Sequence, residues 1–309
     1  MTAGVYRLTR WLAAALMAVC APARATSTNS SWFARAWQTD DGLPNNTVTG
    51  LAQTPDGFLW VATTVGVARF DGVRFEELFL TNYVKEPNRG VVAMVPSRSG
   101  GLWLVMDRGQ LVGLNAGRHQ VFTAAEGLPE RTAERLTEDG EGAVWMAYRD
   151  GTVFRVKDGQ VSRFGQGEGV PRGDVQSVMA AGDGRVWLAA GQKVCRFRAG
   201  RFDPVLEVAE SAIRLAPARA GGTWICAGLR LLRCAENGDV TDCGELRPQR
   251  PGTQPTVLLE DHSGGVWIGT YYSGLSRYDG AGFESIATTH PDVLSLAEDQ
   301  EGNNAAHDA

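Results

Sequence analysis

Histidine is scarce in this chain. The 309 residues contain four: His119, His262, His290 and His307. None falls in an HExxH or HxH spacing, so the pattern that holds zinc is missing and no metal site is indicated. There is no GxSxG motif, and no serine stands out beside a histidine and a carboxylate. An excess of positive charge is missing too. Thirty Lys and Arg against 35 Asp and Glu leave a net charge of −5, which offers no footprint for nucleic acid. The glycine-rich turns precede strands rather than helices and lack the lysine of a phosphate loop. No CxxC pair accompanies the cysteines. The acidic turns Asp139–Glu141 and Asp299–Glu301 lack regular calcium-ligand spacing and read as solvated turns. These absences leave no catalytic residue, metal or cofactor to nominate.

Long apolar runs are also missing, with one short exception at the start. Arg7 and Arg10 precede the apolar stretch Trp11 to Val19, and Ala23-Arg24-Ala25 supplies a small-x-small pattern. This predicts a signal peptide over residues 1–25 with cleavage after Ala25, hence export to the periplasm. The stretch is shorter than the roughly 20 residues a membrane span needs. Val19 before Cys20 fits poorly with lipidation of that cysteine. Four cysteines follow: Cys195, Cys226, Cys234 and Cys243. Export permits disulfides without requiring them. The four read as small buried hydrophobes, with a Cys226–Cys234 or Cys234–Cys243 bridge left open.

What is abundant is glycine, 38 residues, and tryptophan, 9 residues. Six segments align: PDGFLWVATTVGVARFDG, RSGGLWLVMDRGQLVGLNAG, GEGAVWMAYRDGTVFRVKDG, GDGRVWLAAGQKVCRFRAG, RAGGTWICAGLRLLRCAENG and HSGGVWIGTYYSGLSRYDG. Their tryptophans are Trp60, Trp103, Trp145, Trp187, Trp224 and Trp267. The period is about 40 residues, the length of a four-stranded propeller blade. Gly57, Gly101, Gly142, Gly184, Gly222 and Gly265 precede the tryptophan strand, where a short turn needs positive φ. Each tryptophan is expected in the core, a large apolar plate filling the wedge between neighbouring blades.

Linkers of one form, Gly42-Leu43-Pro44, Gly127-Leu128-Pro129 and Gly169-Val170-Pro171, lead into short apolar inner strands such as Val48–Gln53 and Val175–Ala180. The fold expected is all-β: a propeller over residues 26–303 with six full blades and a partial seventh. In the seventh unit a tryptophan is due near position 305, where Asn304 to Ala309 form a non-repeat tail. The chain therefore reads as a fragment of a longer protein. Phe33–Gln38 is expected as an outer strand completing the last blade.

At positions 39–72 (TDDGLPNNTVTGLAQTPDGFLWVATTVGVARFDG) and 262–280 the sequence resembles the two-component regulator propeller family. The resemblance covers roughly residues 32–303. It implies an extracytoplasmic sensor propeller of hybrid histidine kinases and related regulators. Such propellers are typically seven-bladed and followed by a β-sandwich, a membrane helix and an output module. The second linker, Glu86-Pro87-Asn88-Arg89-Gly90, departs from the Gly-Leu-Pro form, and the fifth blade is shortened and Cys-bearing.

In a propeller the linkers and the loops between second and third strands crowd one face around the channel, and such concave faces bind ligands. That face would carry Asp40, Asp41, Asn45, Asn46, Arg131 and Arg172 from linkers. Loop tips would add Thr64, Asp107, Arg108, Tyr148, Arg149, Asp150, Tyr271 and Tyr272. Aromatics beside Arg, Asp and Asn suit a sugar, and the resemblance likewise suggests a carbohydrate. Each residue also has a plainer reading as a loop or turn-fixing residue. The functional expectation is ligand sensing coupled to a membrane-linked output module, with a homodimer possible and no nucleic-acid partner. The alternatives are a free-standing exported interaction scaffold and a propeller lyase of the streptogramin-lyase type.

Overall fold

The computed structural model describes residues 37–309, apart from 84–89, 116–117, 289, 299–301, 303 and 309. The signal peptide, Cys20, the Asp299–Glu301 turn and most of the second linker lie outside the described residues. So does most of the expected outer strand Phe33–Gln38. Its last two residues are not in a strand, and the Trp37 ring lies edge-on to Phe70 of the first blade, 5.1 Å between centroids.

The chain folds into six four-stranded antiparallel sheets, each pairing its strands in chain order from the inside outwards. The inner strands are Val48–Gln53, Val91–Pro96, Arg135–Glu138, Val175–Ala180, Ile213–Pro217 and Gln254–Glu260. Successive inner strands contact one another, which arranges the blades as a propeller ring. The shortened fifth blade still has all four strands. After blade 6, Val293–Glu298 pairs with Asn304–Asp308 in a two-stranded sheet. Val293–Glu298 also contacts the inner strands of blades 6 and 1.

The linker motif has a local cause. A one-turn 3-10 helix precedes each copy: Thr39–Asp41, Ala124–Glu126 and Gln166–Glu168. The glycine that follows ends the turn in the left-handed region, with φ of 100° at Gly42, 101° at Gly127 and 86° at Gly169. That conformation is open to glycine at little cost. The acid before it closes the turn from the other side: Asp41 accepts the Gln38 N–H, Glu126 the Thr123 N–H, and Glu168 the Gly165 N–H. The next residue, Leu43, Leu128 or Val170, is buried and pins the linker to the core.

Blade packing rests on the second strand. Trp145, Trp187, Trp267 and Trp224 are buried. Trp60 and Trp103 are only partly so, a departure from the expectation of six core tryptophans. Trp145 joins Leu188 and Phe202 of the next blade in one cluster, so it does fill an inter-blade wedge. Across the strand pair an arginine faces the tryptophan in five blades: Arg69, Arg155, Arg196, Arg233 and Arg277. In four of them the guanidinium lies over the indole at 5.3 to 5.6 Å, a favourable cation–π position. Blade 2 has Gly113 there instead.

In three blades a side chain six residues before the tryptophan takes up its indole N–H, while in blade 2 Ser97 stands there and the buried Trp103 Nε1 has no partner. Asp139 accepts from Trp145 and Asp261 from Trp267, each at 2.7 Å, and Thr54 from Trp60 at 2.9 Å. Blade 5 has Ala218 at that place, and the buried Trp224 Nε1 has no partner. The turn glycines behave as expected except Gly265. Positive φ falls on Gly264 instead. Gly265 is required for space, since a Cβ there would strike the Arg277 guanidinium.

The four described cysteines are free. Register explains why neither bridge forms. Cys226 pairs with Leu231, and Cys234 with Thr223 on one side and Val240 on the other. Burial pushes the Cys195 thiol up to about 11 and the Cys226 thiol to about 12. All four are expected to take up iodoacetamide in denaturant without reductant, and only the half-buried Cys243 quickly in the native protein. A need for reductant, read by intact mass, would contradict this.

Candidate functional site

The linkers and the loops between second and third strands share one face of the ring. The residues expected there divide into three kinds. The first kind holds the turns. Asp41 closes the 3-10 turn as above, and Asn46 Oδ1 accepts the Thr39 N–H at 2.8 Å. Asn45 Oδ1 accepts from the Thr47 N–H and the Thr64 hydroxyl. Asp40 is exposed within the same turn. The plainer reading of Asp41, Asn45 and Asn46 therefore accounts for their acceptor atoms.

The second kind ties the loops of this face to one another, mostly within blade 3. Arg131 bridges to Asp150 at 2.6 Å and donates to Thr152. Arg149 pairs with Glu134 at 2.9 Å. Asp107 gives its carbonyl to the Thr132 hydroxyl and takes the Gly90 carbonyl on its N–H. Tyr148 corrects the sequence expectation. It is 1% exposed, packs edge-on against Phe154 and lies under the Arg131 guanidinium. Its hydroxyl is buried without a partner, and that burial pushes its pKa well above the ordinary range. An aromatic buried in this way offers no stacking face. It continues the buried run Val144–Ala147, a strand covered on both faces by neighbouring blades.

The third kind is open to solvent. Tyr271 and Tyr272 are exposed, their rings 6.1 Å apart. Tyr272 has a φ of 74°, and its N–H is held by Asp292. Arg108 is exposed at a loop tip. Arg172 lines a separate cleft of about 350 Å³ with Pro171, Gln192, Lys193 and Glu207.

The channel itself adds residues that the sequence reading passed over. The residue two places before the tryptophan's partner on each inner strand forms one layer. Going round the ring it reads Gly50, Ala93, Arg135, Ser177, Arg214, Val257 and Ser295. Two arginines stand among small residues. Arg135 donates through Nε to the Gln176 carbonyl at 3.0 Å, and Arg214 through Nη1 to the same oxygen at 3.3 Å. Arg214 also reaches the Thr256 carbonyl at 2.7 Å with Nε. Arg135 Nη1 and Arg214 Nη1 each donate back to the preceding carbonyl, Glu134 O and Ile213 O. Burial lowers both pKa values, that of Arg214 to about 10, with the neighbouring Arg135 adding to the effect. The signal was present as Arg135-Leu136 and Arg214-Leu215, an Arg-Leu pair in the same register of two inner strands. Among the described residues no three His, Cys, Asp or Glu side chains gather as metal ligands.

Comparison with known proteins follows this geometry. Residues 42–64, the first Gly-Leu-Pro linker with the inner and second strands of blade 1, match the two component regulator propeller family. No curated protein sequence matches the chain significantly. Among solved structures, the extracellular domain assigned to a one component system of B. thetaiotaomicron has a TM-score of 0.73 at 18% identity, covering 91% of this chain. A structure assigned to a hybrid two component system of that organism has a TM-score of 0.68 at 17% identity, covering 84%. This chain spans 39% and 36% of those two chains. Virginiamycin B lyase of Staphylococcus aureus has a TM-score of 0.66 at 13% identity, covering 82% of this chain and 88% of its own. At such identities the likeness is one of fold. Among the described residues no helix is long and apolar enough to cross a membrane. The segment 42–64 thus matches the two component regulator propeller family, within a chain whose described residues form a β-propeller ring of six four-stranded blades.

Proposed function

We propose that this chain is the extracytoplasmic ligand-sensing propeller of a two-component-type signal transduction protein, exported by its signal peptide and non-catalytic in itself. The observation that carries the reading is the regulator-propeller match at residues 42–64. It is supported by the recurrence of the same capped linker at 124–129 and 166–171. The two-stranded sheet after blade 6 is read as the start of a seventh blade. Its Ala297–Ala305 pairing repeats the Leu259–Trp267 pairing of blade 6, with alanine at the tryptophan position. The ligand class is a carbohydrate, for which Tyr271 and Tyr272 offer exposed rings beside polar loops. The partner is a membrane-linked output module.

A ligand that binds the native ring must raise its melting temperature. At a concentration 100-fold above Kd the gain is about 2.7 kcal/mol. A thermal-shift panel of neutral and acidic oligosaccharides is expected to contain at least one that produces such a rise. An unchanged melt across the panel overturns the carbohydrate assignment.

A further inference from the structure

We propose that the channel mouth between Arg135 and Arg214 is a binding site for an oxyanionic group, a carboxylate or sulfate carried by the ligand. The inference rests on the sensor reading for its biological sense, and on the channel geometry for its chemistry.

The two side chains come from blades 3 and 5, and both converge on the Gln176 carbonyl of blade 4. That oxygen holds the two guanidiniums close together, although like charges repel. Carbonyl dipoles are their partners; neither forms an ion pair with a carboxylate among the described residues. Glu134, the acid nearest in sequence, is engaged by Arg149 at 2.9 Å. Gln176 is itself held in place, its Oε1 accepting the Ile213 N–H and its Nε2 donating to the Gly191 carbonyl. The acceptor that orients both arginines is therefore part of a rigid inter-blade network.

The rest of the layer leaves room. Gly50, Ala93, Ser177 and Ser295 are small, and Val257 is the bulkiest neighbour. Nη2 of each arginine makes no hydrogen bond to the described residues and is not fully buried, which leaves it available to a ligand. Two half-buried guanidiniums, with Glu134 as the nearest acid but in ion-pair contact with Arg149 rather than with either of them, form a fork for an oxyanion. Desolvation strengthens that attraction, and it also strengthens the repulsion between the two guanidiniums. Tyr271 and Glu134 are both near neighbours of the two arginines. A sugar ring stacked there would present an acidic substituent to the pair.

The test uses the full chain and four probes at matched ionic strength: sodium sulfate, sodium chloride, D-glucuronate and D-glucose. Sulfate and glucuronate are expected to raise the melting temperature above the chloride control, while the monosaccharide glucose does not. Glucuronate acting at lower concentration than sulfate points to a sugar acid; equal potency points to a free oxyanion. Arg214→Gln and Arg135→Gln are expected to abolish the rise and to melt, without ligand, at or above the wild-type temperature, because each relieves repulsion. A purely structural role for the arginines predicts the reverse, a lower melt. Arg214→Lys keeps the charge but not the fork, and is expected to fold as wild type and bind about tenfold more weakly. A rise that survives both glutamine variants, or no rise with either anion, overturns the site. If a neutral oligosaccharide stabilises the ring while both anions fail, the sensor reading stands and this inference falls.

Discussion

Trp145→Ala is expected to lower the unfolding free energy by about 3–5 kcal/mol, among the largest single-residue losses in the ring. Trp145 is fully buried, and its ring sits 4.6 Å from Phe197, 5.2 Å from Phe164 and 5.8 Å from Phe202. Phe197 and Phe202 belong to blade 4, so the residue joins two blades. Truncation removes this contact area and leaves a cavity between sheets that are each held by their own hydrogen bonds. Neither sheet can collapse far into it. The loss of the indole N–H also leaves the buried Asp139 carboxylate short of a donor, keeping the Glu141 and Ala143 amides and the more distant Arg155 at 3.6 Å. Trp60→Ala is the matched control. Trp60 is only partly buried and its indole donates to a neutral hydroxyl, so its loss should be clearly smaller. Urea unfolding followed by far-UV circular dichroism reads both. A Trp145→Ala loss below about 1 kcal/mol would show that the blade 3–4 wedge is not packed as described.

The second large effect belongs to Asp261. Its carboxylate is buried and accepts from the Ser263 N–H and hydroxyl, the Gly265 N–H, the Trp267 indole and the Arg277 guanidinium. Burial alone would raise its pKa. The hydrogen bonds from Ser263, Trp267, Gly265 and Arg277 outweigh that and hold it at about 2, below the ordinary 3.8. A depressed folded-state pKa contributes stability above the unfolded pKa, and that stability is lost as pH falls through the folded one. The contribution is therefore complete above about pH 5, declines below pH 4 and is gone below about pH 2. Its size is about 2 kcal/mol.

Asp261→Ala is expected to cost more, about 3–5 kcal/mol near neutral pH, because it leaves Arg277 and the Trp267 N–H buried without their acceptor. The gap between wild type and Asp261→Asn is expected to narrow as pH is lowered from 5 to 2. A gap that stays constant over that range would show that the carboxylate's charge is not what the turn uses.

The repeat was legible because a propeller writes its architecture into short-range pattern. A glycine turn, a tryptophan strand and a capped Gly-Leu-Pro linker each follow from local requirements: positive φ, a two-residue period, a buried residue after a tight turn. The glycine turn and the tryptophan strand recur in every blade and the linker in three, so even the shortened fifth could be placed. The Asp-to-Trp hydrogen bond was equally local, six residues apart, and was missed because the acids read as solvated turns. The candidate site was less legible. Tyr148 lies where a loop is expected, yet it extends a strand buried on both faces and its ring is buried with it. Asp41 and Asn45 have polar side chains that suit a ligand, yet their acceptor atoms are used by amides a few residues away.

By itself, then, the sequence determined the all-β class, the six four-stranded blades and inner strands such as Val48–Gln53 and Val175–Ala180, since each depends on contacts within about 40 residues. Only the tertiary structure decided which side chains meet across the channel. Arg135 and Arg214 are separated by a whole blade and share no motif. They come together because ring closure brings inner strands around one axis. The register of each strand pair then sets which residue of each strand stands in the channel layer.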